Sequence, residues 1–455
     1  MFTMESSVVT YYRTVHRSHP FLIPYREYLQ DRCSLPTYLK HCMVFAAGPF
    51  TSIDQEAAQM RALEILDPCL PDDFPRVQAL LLLTIISHAR AERQIGNQAL
   101  EQAIRIAATI GLGSESFAID MTPVHRESHR RTWWQLFITA TMVSLVTGLD
   151  FPVEVDVSRT LPCEDTQYED CAVVPSGTLQ DMQERNLSDY DCSWSSLAYL
   201  VESAQILRKV LQSRANLLAG RLENCAESLE ASLTMFNLSL PPEKQHSFGT
   251  NGQTDEVMAM AHMLVNIAGI CLHLPLSGIG LLGSFVPICG NDTGSQQGSK
   301  YSTQLYHSIK AVKCAQALTR VIIGKEDLDT LTPCLSCGLA FSTNTLLNAL
   351  LIQSEHFSKD NIKELIKLSL TALKRIGKAW PIASMVRSQL ATYYRDMISE
   401  QAHSRAQEKS TTGFVARTTK SDLNAEHSIL LEHAEHGLDL EEILGLEIDC
   451  VTNAT

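Results

Sequence analysis

Between Ile95 and Ile110 the apolar positions Ile95, Ala99, Ala103, Ile106 and Ile110 recur every three or four residues. That spacing closes on one face of a helix and fits no pleated strand, whose side chains alternate every two residues. Leu100, Ile104 and Ala107 form a second apolar row beside the first, and Gly111 follows as a C-cap. A helix apolar on two sides is buried within a larger assembly of helices rather than laid on its surface. Gln78–Ile86 and Trp133–Val146 carry the same pattern, and no stretch sustains period-two alternation. The sequence therefore predicts an all-α fold, a large multi-helix, bundle-like body.

The 455 residues are 45% hydrophobic and 19% charged, a composition that buries a core rather than staying disordered. The formal net charge of -14 argues against a surface built to cover phosphates, which needs clustered Lys and Arg. Thirteen cysteines, an odd number, are spread from Cys33 to Cys450 without a dense framework. The first residues lack the charged-then-apolar layout of a signal peptide. Reduced, mostly buried thiols in a cytosolic or nuclear protein are expected. The apolar runs at Leu276–Cys289 and Gly338–Leu351 are interrupted and fall short of a membrane span.

Two stretches interrupt the helical pattern. Cys163–Ser193 is acidic and turn-rich, and Cys289–Thr303 carries Gly, Ser and Gln in the manner of an exposed loop. Helices are expected at Ser196–Leu218, Glu256–Leu274, Leu305–Ile323 and Asn361–Ile398. The expected organisation is a first helical half at 1–165, an acidic linker at 166–195 and a second helical half at 196–400. A polar linker at 401–424 and an acidic amphipathic tail at 425–455 follow. No solenoid-type repeat is visible.

No residue set asks to be catalytic or cofactor-binding. Cys334 and Cys337 form a lone CxxC with neither a second ligand pair nor the strand-to-helix context of a redox site, so they read as buried helical cysteines. His262 and His273 share an apolar helix with no carboxylate at metal spacing. The sequence holds no HExxH, no phosphate-binding glycine loop and no nucleophile elbow. The remaining constellation is HRESHRRTWWQLF, His125–Phe137. Glu127 and Arg131 stand one helical turn apart as an acid-to-base pair, and arginine forks bind carbonyls, carboxylates and tryptophan faces. Contact with nucleic acid needs more basic companions, and none follows between Trp133 and Phe151. Arg130, Arg131, Trp133 and Trp134 are therefore expected to brace the fold, with both tryptophans in the core.

At this point the residues resemble a known family. YYRTVHRSHPFLIP (Tyr11–Pro24), VQALLLL (Val77–Leu83) and GNQALEQAIRIAATIGL (Gly96–Leu112, with its Ala–Ile–Arg–x–Ala signature at Arg105) are similar to the fungal-specific transcription factor domain, the middle homology region of fungal zinc-cluster transcription factors. ESHRRTWWQLF (Glu127–Phe137) resembles that family's basic residues before paired tryptophans, and LPCED (Leu161–Asp165, with Pro162) its closing acidic loop. Further on, HMLVNIAGICLHLP, LTPCLSCGLAFS and LKRIGKAWPIA, the last with Trp380, are similar to later family helices. The likeness runs from Tyr11 to Met397 and rests on the order and spacing of its pieces.

The departures matter as well. Ala140 and Thr141 stand where the family carries an aspartate and a basic residue, and Gly148–Pro152 replaces a Gly–Arg–Pro turn. The resemblance implies a six-cysteine cluster holding two zinc ions and contacting DNA, yet the first cysteine here is Cys33, with Cys42 and Cys69 too sparse. This chain by itself is thus expected to hold no zinc and no other cofactor, and to make no direct DNA contact. It is either a piece of a longer factor or a protein that works without its own cluster. The resemblance implies a nuclear regulator, not an enzyme, whose body senses a partner or a small effector and whose acidic tail contacts the transcription machinery or a coactivator. Two alternatives stand beside it. One is a free-standing co-regulator dimerising with a full-length zinc-cluster factor; the other is a helical ligand-binding protein or enzyme of secondary metabolism.

Overall fold

The computed structural model describes residues 4–31, 35–186, 194–218, 223–247, 254–279, 301–325, 328–351 and 356–395. Helices α1 (Met4–Arg13), α2 (Val15–Ser18), α3 (Tyr25–Gln30), α4 (Thr37–Ala47) and α5 (Gln55–Leu63) open the chain. Then come α6 (Phe74–Ala89), α7 (Arg93–Thr109) and α8 (Pro123–Thr147), with the short α9 (Asp165–Glu169) and α10 (Leu179–Gln183) after them. The second half holds α11 (Ser196–Leu218), α12 (Glu223–Leu238), α13 (Glu256–His273), α14 (Tyr301–Arg320), α15 (Cys334–Leu351) and α16 (Lys359–Ile376). No strand occurs among the described residues, and Thr160 and Thr178 form an isolated bridge. The chain is all-α.

Local chemistry sets the helix ends. Asp73 caps α6 by accepting the Arg76 N–H, Asp255 caps α13 and Ser358 caps α16. Thr122 accepts the His125 N–H at the head of α8, Pro123 fills its first position, and Gly148 closes it at φ 70°. The helix read from Ile95 to Ile110 runs from Arg93 to Thr109, with Gly111 at φ 72° beyond it. The single helix expected over Asn361–Ile398 is instead two: α16 ends at Ile376, and a second helical segment occupies 381–395. Pro381 has no N–H to continue α16 and its ring starts the next helix instead.

Packing joins the halves. α6 lies along α7, α11 along α13, and α13 against α14 and α15, while α8 bridges to α11. α13 with the turn after it (Glu256–Leu276) is long and apolar enough to cross a membrane by composition. Its residues from Val257 to Leu272 are nearly all buried against protein, which is the environment of a core helix. Within the stretch expected as an acidic linker, Tyr168, Leu179 and Met182 are buried through α9 and α10. The polar linker at 401–424 and the acidic tail at 425–455 lie outside the described residues.

Candidate functional site

A non-helical strap, residues 19–24, lies between α2 and α3 and is buried. Buried carbonyls need partners that a strap cannot find in itself. Four successive ones are met by side chains. Pro20 O accepts from Arg131 Nη1 at 3.2 Å and Phe21 O from Ser128 Oγ at 2.9 Å and Gln78 Nε2 at 3.3 Å. Leu22 O accepts from Tyr168 Oη at 2.9 Å and Ile23 O from Tyr12 Oη at 3.0 Å.

Arg131 holds this region together. Its side chain is fully buried and donates through Nε to Glu127 Oε1 at 2.9 Å, through Nη1 to Asp165 Oδ1 at 2.6 Å and through Nη2 to Cys163 O at 2.7 Å. The guanidinium also stacks 4.2 Å above the Tyr168 ring. Burial works against its charge, yet Asp165 and Glu127 hold its pKa above the ordinary arginine value. Glu127 is likewise buried, taking Arg130 on Oε2 and the Cys163 N–H at 3.0 Å on Oε1. One arginine thus ties α8, the strap and the 163–165 loop.

The other motif residues have separate places. Trp134 is wholly buried and donates to Thr160 O at 3.0 Å. Trp133, expected in the core, is half-buried instead, with the Arg159 guanidinium 5.3 Å from its ring centre. Two neighbours on a helix point about 100° apart, so only one faces inward. Arg105 forms an exposed fork on Asp72 at 2.8 and 3.3 Å. Pro162 offers its carbonyl to Ser195 Oγ at 2.8 Å, and Trp380 is buried with its indole N–H on Leu331 O at 3.0 Å.

Cys334 and Cys337, expected to be buried, are half-buried in the first turn of α15 and form no disulfide with each other, and burial pushes the Cys334 pKa up. His262 bonds to Lys244 O at 2.9 Å and His273 to His307 at 2.9 Å. Among the described residues no group of His, Cys, Asp or Glu is arranged to hold a metal ion.

What the motif reading missed is a cavity between α6, α8 and the start of α15, with about 70 Å³ open to the centres of water molecules. Thr84 and His88 line it from α6, Gln135 and Thr139 from α8, and His19 from the strap, amid an otherwise apolar wall. Both helix pairs are four residues apart, polar steps inside apolar runs, and that was the signal available in the sequence. Gln135 Nε2 donates to Thr139 Oγ1 at 3.0 Å, while the same Gln135 amide meets the His19 ring and Asn97 of α7 meets the His88 ring.

Burial pushes the His19 pKa down to about 4, the Gln135 amide opposing it. Burial likewise lowers His88 to about 4, with Arg93 adding to the effect. A folded pKa below the unfolded value of about 6.5 means that stability is intact above pH 6.5 and lost as pH falls towards 4. For His19 that loss is about 3 kcal/mol. Urea unfolding between pH 7.5 and 4.5 is expected to show it, with a shallower pH slope in His19→Gln; equal slopes would refute the assignment.

Residues 31–232 match the fungal specific transcription factor domain, a span that contains Arg131 with Glu127, Cys163 and Asp165 and the cavity's α6 and α8 walls, but not the strap at 19–24. The chain carries a fungal specific transcription factor domain. It is also 26% identical over 446 residues to the C6 finger domain transcription factor iacK of Pestalotiopsis fici. That alignment covers 94% of this chain and 65% of the relative, so the chain spans about two thirds of the relative's length. No solved structure matches. The likeness drawn from Tyr11 to Met397 thus extends beyond the domain match at both ends.

Proposed function

We propose that this chain is the regulatory body of a zinc-cluster-type transcription regulator that acts in the nucleus without catalysing a reaction. The observation that supports the reading is the fungal specific transcription factor domain at 31–232, in a chain similar to a C6 finger transcription factor through most of its length. The helical body senses a partner or small effector, and the acidic stretch Ala425–Cys450 contacts a coactivator. Its eight carboxylates keep Leu440, Ile443 and Leu444 solvated until an apolar groove receives them. DNA contact on this reading belongs to a zinc cluster, supplied by the longer protein or by a dimer partner.

Fusing the full chain to an unrelated DNA-binding domain and measuring a reporter tests this reading. Output several-fold above the bare domain is expected, falling when 425–450 is deleted. Output no higher than the bare domain would overturn the proposal, and output unchanged by the deletion would remove the tail from it.

A further inference from the structure

We infer that a lysine stripe on α16 is the docking surface for this chain's own acidic segment, 425–450. Across 359–395 the chain carries eight Lys and Arg against two carboxylates, Asp360 and Glu364, a local charge of +6. Lys359, Lys363, Lys367 and Lys374 follow one another there at steps of four, four and seven residues. At about 100° per residue those steps hold all four within about 80° of one another, along roughly 22 Å of helix.

Packing fixes where the stripe points. Ile362, Leu365, Ile366, Leu370 and Leu373 are buried and turn the other side of α16 to the core. Lys359 and Lys374 are exposed, and Lys363 and Lys367 are half-buried, with Lys367 3.4 Å from Glu364. Like charges four residues apart repel on a helix, so the row favours an anionic partner that covers several of its members at once.

The acidic segment carries the matching pattern. It holds eight carboxylates and no Lys or Arg. Five of them, Glu432, Glu435, Asp439, Glu442 and Asp449, recur at steps of three, four, three and seven residues. That spacing brings side chains to one face of a helix, in a row about 25 Å long, close to the length of the lysine row. The net charge of -14, less the +6 and -8 of these two segments, leaves -12 on the remaining sequence. The stripe therefore attracts the segment where most of the chain repels it.

Reach and strength also fit. Between Arg395, where the described chain ends, and Glu432 lie 36 residues, which extend to about 120 Å at most and so return easily to α16. Exposed ion pairs are weak one at a time. A tethered segment, however, meets its target at roughly millimolar effective concentration, so a few pairs in register suffice and salt dissolves them.

Zero-length carbodiimide coupling of the full chain is the test, since it joins a lysine amine to a carboxylate only where the two touch. Coupled peptides are expected between Lys359, Lys363 or Lys374 and the five carboxylates of the acidic row. Their yield should fall at least about fivefold between about 50 mM and about 500 mM NaCl. The paired reversal Lys363→Glu with Lys374→Glu should abolish them and speed amide hydrogen exchange across 432–449 several-fold, with circular dichroism showing the helical body intact. Mixing isotope-labelled with unlabelled chain separates the occupants: coupling within one chain is expected, and coupling between chains would give the stripe to a second copy and overturn the inference. Coupling of the segment to other lysines as readily as to the stripe would overturn it too. Where coupling yields nothing, exchange decides, and equal rates in the parent and the reversed variant would sink the contact. Both readouts use the purified chain, so their failure removes this contact alone, and a silent reporter with coupling intact fails only the transcriptional reading.

Discussion

Arg131→Met is expected to destabilise the chain by about 3–5 kcal/mol, the usual consequence of removing one partner from a buried ion pair. The reason lies in the buried groups left without a donor more than in the bonds that Arg131 itself makes. Glu127 is fully buried, and without Arg131 its carboxylate keeps only Arg130 and the Cys163 N–H. Pro20 O and Cys163 O lose donors in the same step, so the strap and the 163–165 loop are released together. Lysine carries the charge but not the fork, and one ammonium cannot reach Glu127, Asp165 and two carbonyls at once; Arg131→Lys should recover less than half of the loss. The double change Glu127→Leu with Arg131→Met removes both charges and should be milder than Arg131→Met alone. Urea unfolding with an unchanged m-value measures all three. A loss below 1 kcal/mol for Arg131→Met, or a double variant worse than the single, would show that the cluster does not hold the fold.

The same cluster marks where sequence reading stops. The i,i+4 pair of Glu127 and Arg131 was visible in the helix pattern, and the bracing role followed from the charge argument. The partners that make the role important, Asp165 at 34 residues and Pro20 at 111 residues away, were not visible. Periodicity reports which face of a helix is apolar, and the extents of α7, α11 and α13 follow from it within a few residues. It does not report which element comes to that face. Gln135 and Thr139 therefore looked like incidental polar steps in α8, because the strap bearing His19 and the start of α15 complete the cavity from distant parts of the chain. The break before Pro381 is different: proline announced it, and the long apolar pattern on either side outweighed the signal.

Trp134→Ala should destabilise by about 3–5 kcal/mol, while Trp133→Ala, one residue away, should lose only about 1–2 kcal/mol. Trp134 is enclosed on every side, meets Phe137 edge-on with ring centres 6.2 Å apart, and leaves a cavity that the rigid helices around α8 cannot collapse into. Its indole N–H also satisfies Thr160 O beside the isolated bridge to Thr178, so the loop behind the 163–165 segment loosens with it. Trp134→Phe separates these contributions, keeping a ring and dropping the N–H, and should lose about 1–2 kcal/mol. Trp133 has less to lose. It is half-buried, its ring lies under Arg159 and against Gly113, and water reaches part of the space that truncation vacates. Chemical unfolding of the three variants should therefore rank Trp134→Ala well below Trp134→Phe and Trp133→Ala. If Trp134→Ala instead left the unfolding midpoint unchanged, the bracing account of the paired tryptophans would fail.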